Sequence, residues 1–159
     1  MTALQKYNER VEEVNSLVCV GLDSDVAKIP DNFKSLEFPQ FEFNKYIIEQ
    51  THELAAAYKL DTAFYESRGE QGMKEICLTM DYLSETHPDI FTICDAKRGD
   101  VAHVNEHYAK AYFDIIGFDA ITLHPYMGRE SLEPFLARED KASIILCRTS
   151  NPGAKEFQD

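Results

Sequence analysis

The sequence predicts an α/β protein built from parallel βα units. Short apolar runs rich in β-formers alternate with longer segments in which apolar residues recur at helical spacing. Five such runs begin about 31 residues apart, and eight units of that length would fill the roughly 250 residues of a (β/α)8 barrel. The 159 residues hold five units. The spacing therefore leaves two architectures open, a five-stranded open sheet or the first part of an interrupted barrel.

The predicted elements follow one another in a regular order. A helix over residues 3–15 has the sparse apolar stripe of a surface helix that closes one end of a barrel. Mostly apolar strands, as expected of strands covered on both faces, are predicted at 17–21, 56–60, 91–95, 119–123 and 142–147. Crossover helices are predicted at 41–55, 69–86 and 104–116. Residues 30–39 predict a loop, and no helix is expected after the fifth strand.

Composition and charge exclude several classes of function. The 28 acidic against 16 basic residues give a net charge of -12, which disfavours binding to nucleic acid or to an anionic membrane surface. The longest apolar runs have about six residues, against the roughly 20 that a bilayer-spanning helix needs. The first ten residues lack the apolar stretch of a secretory signal. We therefore expect a cytoplasmic protein with no membrane partner.

Cysteine and histidine spacing does not predict a metal site. The four cysteines form no C-x-x-C pair and three lie in strand-like runs, which favours reduced core thiols over disulfides or zinc ligands. His103 and His107 are four apart on a predicted helix, the spacing of a zinc-binding pair, but no third ligand is evident. We expect both histidines to be exposed to solvent.

Polar residues follow every predicted strand, at the edge where parallel α/β folds place their working groups. Asp95 and Lys97 are two apart, so on an extended backbone both project to one face, and Asp100 follows in the next turn. With Lys59 from the neighbouring strand they predict an alternating Lys-Asp-Lys-Asp network, whose fixed charges would act strongly on a substrate in a cleft. The same spacing is compatible with loop ion pairs that stabilise little.

Five segments of the chain carry a family resemblance. They are Val20-Gly-Leu-Asp23, Ala57-Tyr-Lys59 with Ala63-Phe-Tyr-Glu66, Asp95-Ala-Lys-Arg-Gly-Asp100, His124-Pro-Tyr-Met-Gly128 and Arg148-Thr-Ser-Asn-Pro-Gly-Ala154. In order and spacing they resemble orotidine 5′-phosphate decarboxylase of the bacterial second type. The resemblance implies a (β/α)8 TIM barrel of which about five units are present, so residues 1–159 are expected to form a single barrel domain truncated after strand five.

The resemblance also implies a reaction. It is the decarboxylation of orotidine 5′-phosphate to uridine 5′-phosphate in pyrimidine biosynthesis, without a metal or an organic cofactor. Carried onto this chain, Lys97 stabilises the ring carbanion and then protonates it, while Asp95 lies near the departing carboxylate. Lys59 and Asp23 contact the ribose hydroxyls. Asp100 is expected to enter the active site of the partner subunit in a homodimer.

Further substrate contacts are expected in the segment after the fifth strand. By the resemblance Ser150 hydrogen-bonds the pyrimidine, and Thr149 and Pro152 belong to the same substrate-binding segment. The later strands of the family supply a glutamine-bearing loop and a phosphate-gripping arginine, neither of which can be located in these residues. Asp61 and Val104 depart from the family pattern, which commonly has asparagine and threonine there.

Two other functions remain open from the residues alone. A metal-dependent sugar-phosphate decarboxylase or synthase of the same superfamily would use the same Asp95 and Lys97 around magnesium. A phosphoacceptor receiver domain would use Asp23, Asp25, Asp95 and Thr122 on a five-stranded sheet. Its final strand should end in lysine, however, and here Arg148 follows instead.

Overall fold

One five-stranded parallel sheet organises the chain in the computed structural model, which describes residues 1–159. Its strands are β1 (Val18–Gly21), β2 (Ala55–Asp61), β3 (Phe91–Arg98), β4 (Ala120–Leu123) and β5 (Ala142–Ile145). They pair in sequential order, each parallel to the next. This singly wound order is that of a barrel, because a doubly wound sheet reverses its strand order at a switch point. The α/β prediction is confirmed.

Helices connect the strands. They are α1 (Ala3–Val14), α2 (Asp31–Lys34), α3 (Pro39–Thr51), α4 (Ala63–Glu66), α5 (Gly69–Thr86), α6 (Ala102–Ala109), a π-helix (Lys110–Ile115), α7 (Arg129–Leu136) and α8 (Lys155–Gln158). In α5 the buried residues Ile76, Met80 and Leu83 recur at helical spacing and form its core-facing stripe. No helix in the chain combines the length and the apolar character needed to cross a membrane.

Several predicted boundaries were wrong. The segment 30–39 is not entirely a loop, since Asp31–Lys34 form a helical turn after Pro30. Ala55 begins β2 and does not end the preceding helix. A four-residue helix, α8, follows the fifth strand where none was expected. Helix α7 was not predicted, because Pro134 interrupts its pattern although the helix continues through it.

Helix α1 lies across the amino ends of the strands, as its sparse apolar stripe predicts. Its first turn closes with a capping box between Thr2 and Gln5. The Nζ atom of Lys6 is 2.7 Å from Asp119 Oδ2, directly before β4. The buried Arg10 donates from Nε to the carbonyl oxygen of Ala55, at the start of β2. These contacts leave the opposite, carboxyl edge of the sheet free for other groups.

The two faces of the sheet are covered differently. Tyr58 and Leu60 of β2 are buried in the main core with the crossover helices, so the alternating Lys59 and Asp61 point to the other, inner face. The outer strands β1 and β5 are largely exposed, unlike the doubly covered strands that their composition predicts.

The cysteine prediction is correspondingly only half right. All four cysteines are unpaired, but only Cys94 is fully buried. Cys77 is partly buried, and Cys19 and Cys147 are exposed. The physical reason is that Cys19 lies on β1 and Cys147 two residues after the end of β5, and these two strands are the largely exposed edges of the sheet.

Candidate active site

Five charged side chains meet at the carboxyl ends of β1, β2 and β3. Lys59 Nζ lies 3.3 Å from Asp23 Oδ2 and 3.3 Å from Asp95 Oδ2. Lys97 Nζ lies 2.7 Å from Asp95 Oδ1 and 3.7 Å from Asp61 Oδ2. We call these five residues the charged cluster. Carboxylates and ammonium groups alternate through it, so each lysine lies between two aspartates.

The strand register explains why the cluster forms. Asp61 of β2 pairs directly with Asp95 of β3, and Gly21 of β1 pairs with Lys59. Lys59 and Asp61 share the inner face because side chains alternate along a strand. Sequence-distant charges are thereby stacked side by side at one edge.

A bulge at the end of β3 brings Lys97 to the cluster. Cys94 pairs with Ile121, and Arg98 pairs with Leu123. Between these two pairs β3 therefore contains two more residues than β4, which is a bulge. Within this bulge Lys97 adopts a left-handed backbone, with φ of 48°. The predicted shared face of Asp95 and Lys97 is confirmed by their contact. The predicted extended backbone between them is wrong, because the bulge turns it.

Thr122 holds both members of this pair. Its hydroxyl donates to Asp95 Oδ1 at 2.8 Å and accepts the Lys97 N–H at 2.9 Å. One side chain thus fixes a carboxylate and the strained backbone beside it. Thr122 occupies β4, next to the bulge, where the regular ladder between β3 and β4 is interrupted.

A buried polar network positions Asp23 at the end of β1. The flanking Leu22 and Ser24 are both buried. Tyr65 donates its hydroxyl to the Leu22 carbonyl at 2.6 Å, and Ser24 donates its hydroxyl to Asn44 Oδ1 at 2.5 Å. Asp23 Oδ1 in turn accepts the backbone N–H of Asp61 at 2.9 Å. The loop that carries Asp23 is therefore anchored on both sides.

Opposite charges in the cluster favour the ionised forms. Burial raises the pKa of the Asp95 carboxyl, but hydrogen bonds from Lys97 and Thr122 outweigh it and leave that pKa lowered. Partial burial lowers the pKa of the Lys59 ammonium, but the Asp23 and Asp95 carboxylates outweigh it and leave that pKa raised. The Lys97 side chain is 49% exposed while Asp95 is 13% exposed. The lysine thus presents a free side to a ligand.

Asp100 lies outside the charged cluster. Its carboxylate is exposed and accepts only the N–H of Val101, at 2.7 Å, with no ion pair in the chain. Just before it, Gly99 packs against His124, and a Cβ at this glycine would lie 2.6 Å from the His124 carbonyl oxygen. Only glycine fits this crossing between the bulge and the loop after β4.

The segment after β5 is not in contact with the cluster. Ser150 and Pro152 are exposed, and neither side chain forms a hydrogen bond or ion pair. Thr149 donates its hydroxyl to Asn151 Oδ1 at 2.6 Å and its backbone N–H to Gln158 Oε1 at 2.7 Å. The structure thus folds this segment onto α8, still at the carboxyl side of β5.

Two clefts flank the cluster. One, of about 270 Å³, is lined by Asp23 together with Lys28, Phe43 and Phe64. The other, of about 360 Å³, is lined by residues that include Lys97, Asp100, His124 and Tyr126. His103 and His107 are exposed on α6, as predicted, away from both linings.

Comparison with known proteins assigns the chain to a family. The model of the orotidine 5′-phosphate decarboxylase / HUMPS family matches residues 16–159. The chain belongs to this family. All members of the charged cluster lie within the matched residues, as do the five segments that carry the resemblance in the sequence.

Individual orotidine 5′-phosphate decarboxylases are similar over nearly the whole chain. The enzyme of Flavobacterium johnsoniae is 49% identical over 97% of this chain and 56% of its own length. That of Christiangramia forsetii is 48% identical over 97% of this chain and 57% of its own. The solved structure of Leishmania donovani OMP decarboxylase superposes with a TM-score of 0.85 at 38% identity, covering 99% of this chain and 58% of that one.

The chain spans a little over half the length of these curated relatives. The decarboxylase structures that it matches are TIM barrels, so the predicted fold class, a (β/α)8 barrel with five units present, is confirmed.

Sequence reasoning gave two residues no role in the charged cluster. Asp61 and Thr122 both stand among the polar residues at the strand ends, but Asp61 was interpreted as a departure from the family pattern and Thr122 as the hydroxyl of a receiver domain. For Asp61 a local signal was available, because residues two apart on one strand, such as Lys59 and Asp61, project to the same face. No local signal existed for Thr122, because its contact with Asp95 depends on the bulge.

Proposed function

We propose that this chain carries the catalytic charges of an orotidine 5′-phosphate decarboxylase. The carrying observation is the alternating array of Asp23, Lys59, Asp95, Lys97 and Asp61 at the carboxyl edge of a singly wound sheet. Relatives at 48–49% identity bear that name. The product is uridine 5′-phosphate, as in pyrimidine biosynthesis, and no cofactor takes part.

The proposed chemistry needs one cation beside the reacting carbon. The bond between the pyrimidine ring and its carboxylate breaks, carbon dioxide leaves, and the electron pair stays on the ring carbon. The Lys97 ammonium stabilises that carbanion and then transfers a proton to it, and the neutral amine regains a proton from water. Asp95 lies near the departing carboxylate and holds Lys97 through the 2.7 Å hydrogen bond.

Substrate binding is divided between two regions in this proposal. Lys59 and Asp23 contact the ribose hydroxyls from the ends of β2 and β1. The segment after β5 binds the pyrimidine, Ser150 through a hydrogen bond and Thr149 and Pro152 by lining the site. The exposure of Ser150 and Pro152 supports this role, since a ligand reaches both residues without displacing packed side chains.

We further propose a homodimer in which Asp100 serves the partner's site. The exposed Asp100 carboxylate has no cation within its own chain, which supports a role across an interface. A cytoplasmic location is also proposed, and the four unpaired cysteines support a reducing compartment.

Neither alternative function gains support. The sequential strand order lacks the switch point of a receiver domain. No finding favours a metal-dependent sugar-phosphate enzyme over a decarboxylase. Decarboxylation that persists in excess chelator would separate the two, because magnesium would be essential to the sugar-phosphate branch.

The direct test follows the ultraviolet absorbance of orotidine 5′-phosphate with the purified chain in chelator. We expect turnover by the parent, its loss by at least about 100-fold in Lys97→Ala, as for removal of a general acid, and parental turnover in Lys34→Ala. Lys34 pairs with Asp31 on α2, outside the cluster, and is the matched control. No turnover by the parent, or equal turnover in Lys97→Ala, would overturn the proposal for this chain.

A further inference from the structure

Three side chains form a second polar cluster behind the bulge, on the helix-covered side of β3. Arg98 donates from Nη2 to the Tyr112 hydroxyl at 2.8 Å and also to Glu66 Oε1. Tyr112 donates its hydroxyl to the same Glu66 oxygen at 2.8 Å. We call Arg98, Glu66 and Tyr112 the arginine clamp. Arg98 and Glu66 lie in segments that carry the family resemblance, yet the proposed chemistry uses neither.

The clamp is joined to the backbone on both sides of Lys97. Arg98 is the next residue along the chain, and its Nη1 donates to the carbonyl oxygen of Ala96, the preceding residue, at 2.9 Å. Arg98 is also where β3 regains its register with β4 after the bulge, opposite Leu123. The guanidinium therefore closes a ring around the one residue of β3 with a left-handed backbone.

Such a backbone needs support. A non-glycine residue held at positive φ costs on the order of 1–3 kcal/mol and persists only where its surroundings impose it. On the inner face, Thr122 accepts the Lys97 N–H. On the helix-covered face the arginine clamp holds the bulge through side-chain hydrogen bonds and ties β3 to α4 and to the π-helix.

Two features indicate that the clamp is not there for stability. Arg98 Nε is buried without a hydrogen-bond partner, a cost that an apolar side chain at this position would avoid. Tyr112 reaches Arg98 from a π-helix, a rare element that is found mostly at functional sites. Both features are explained if the geometry of Lys97 depends on the clamp.

We propose that the arginine clamp is a positioning device that holds the Lys97 ammonium against Asp95. The proposal rests on the function assigned above to Lys97, and it concerns positioning because no clamp atom contacts the charged cluster. Glu66 and Tyr112 orient the Arg98 guanidinium, and the guanidinium holds the backbone of the bulge. The bulge in turn directs the Lys97 side chain toward Asp95.

The test measures the pKa of Asp95 in the full chain by NMR titration of its side-chain carboxyl carbon, assigned with Asp95→Asn. Lys97→Ala gives the pKa without the neighbouring ammonium. We expect Glu66→Gln and Tyr112→Phe each to raise the Asp95 pKa by about one unit toward that value, because the opposite charge moves away. Tyr82→Phe, which removes a comparable tyrosine-to-glutamate hydrogen bond with Glu49, should leave it at the parental value.

Folded Glu66→Gln and Tyr112→Phe variants with the parental Asp95 pKa would overturn the proposal and leave the clamp a purely structural contact. If Glu66→Gln does not fold, Tyr112→Phe, which deletes a single oxygen atom, decides the question. The titration uses no substrate. An inactive chain would therefore overturn the decarboxylase function without altering this result, and an unchanged pKa would overturn the clamp without altering the function.

Discussion

Thr122 is the residue on which both halves of the Lys97 and Asp95 pair depend. Its hydroxyl satisfies one carboxylate oxygen and one backbone N–H at once. Valine has the same shape and can do neither. We expect Thr122→Val to raise the Asp95 pKa and to lower the free energy of unfolding by about 2 kcal/mol, at about 1 kcal/mol for each of the two hydrogen bonds lost.

The pH dependence of this effect follows from the sign of the pKa shift. Because the Asp95 pKa is lowered in the folded chain, its stabilisation is fully present above the ordinary value of about 3.9 and is lost as the pH falls below it. The difference in stability between the parent and Thr122→Val in urea unfolding should therefore be largest near neutral pH and become smaller as the pH falls below about 4. A difference that stays constant with pH would contradict this account.

At the scale of elements, a buried polar network joins the loop after β1 to three helices. Asn44 of α3 accepts from Ser24 and donates to Tyr65 of α4 at 2.7 Å and to Thr79 of α5 at 3.0 Å. All four residues are buried. Because this network carries the backbone on either side of Asp23, packing and site geometry are coupled here.

Asn44→Ala is expected to lower the free energy of unfolding by about 3 kcal/mol, because it leaves several buried polar groups without partners. Urea denaturation followed by circular dichroism measures the change. Asn151→Ala is the matched control, since Asn151 is exposed and its loss should cost under about 0.5 kcal/mol. Equal free energies of unfolding for the two variants would contradict the expectation that the buried network of Asn44 stabilises the fold.

The element boundaries show where pattern alone was sufficient. The long helix predicted at 69–86 is α5 to the residue, since apolar spacing and burial coincide there. The helix predicted at 104–116 proves to be α6 followed by the π-helix. Apolar spacing does not separate these two helix types, because they differ in the backbone hydrogen-bond pattern and not in which residues are apolar.

At the scale of the whole molecule, the inner face of the sheet is apolar below the charged cluster and open to solvent. A cavity of about 320 Å³ there is lined only by apolar side chains: Leu4, Tyr7, Leu17, Cys19, Ala57, Phe91, Ile93, Ala142 and Ile144. Leu17 is 74% exposed and Ile144 41% exposed. Exposed faces of this kind promote association.

We expect the 159-residue chain to self-associate at micromolar concentration in sedimentation velocity, with its inner face as the contact. Ile144→Lys should shift the distribution toward smaller species, because it places a charge on the open apolar face. Leu136→Lys is the matched control, since Leu136 is 37% exposed but lies on α7, on the other side of the sheet. If both variants associate as the parent does, the inner face is not the contact.

The alternation of strands and helices, the family, and the two-residue spacing of Asp95 and Lys97 can be predicted from the sequence. Those features are local, so periodicity and motif order are enough to predict them. The sequential strand order, the bulge at Lys97 and the contacts of Asp61, Thr122 and the arginine clamp are seen only in the folded chain. Each of these depends on the register between strands far apart in the chain, which is set by packing across the sheet and not by neighbouring residues.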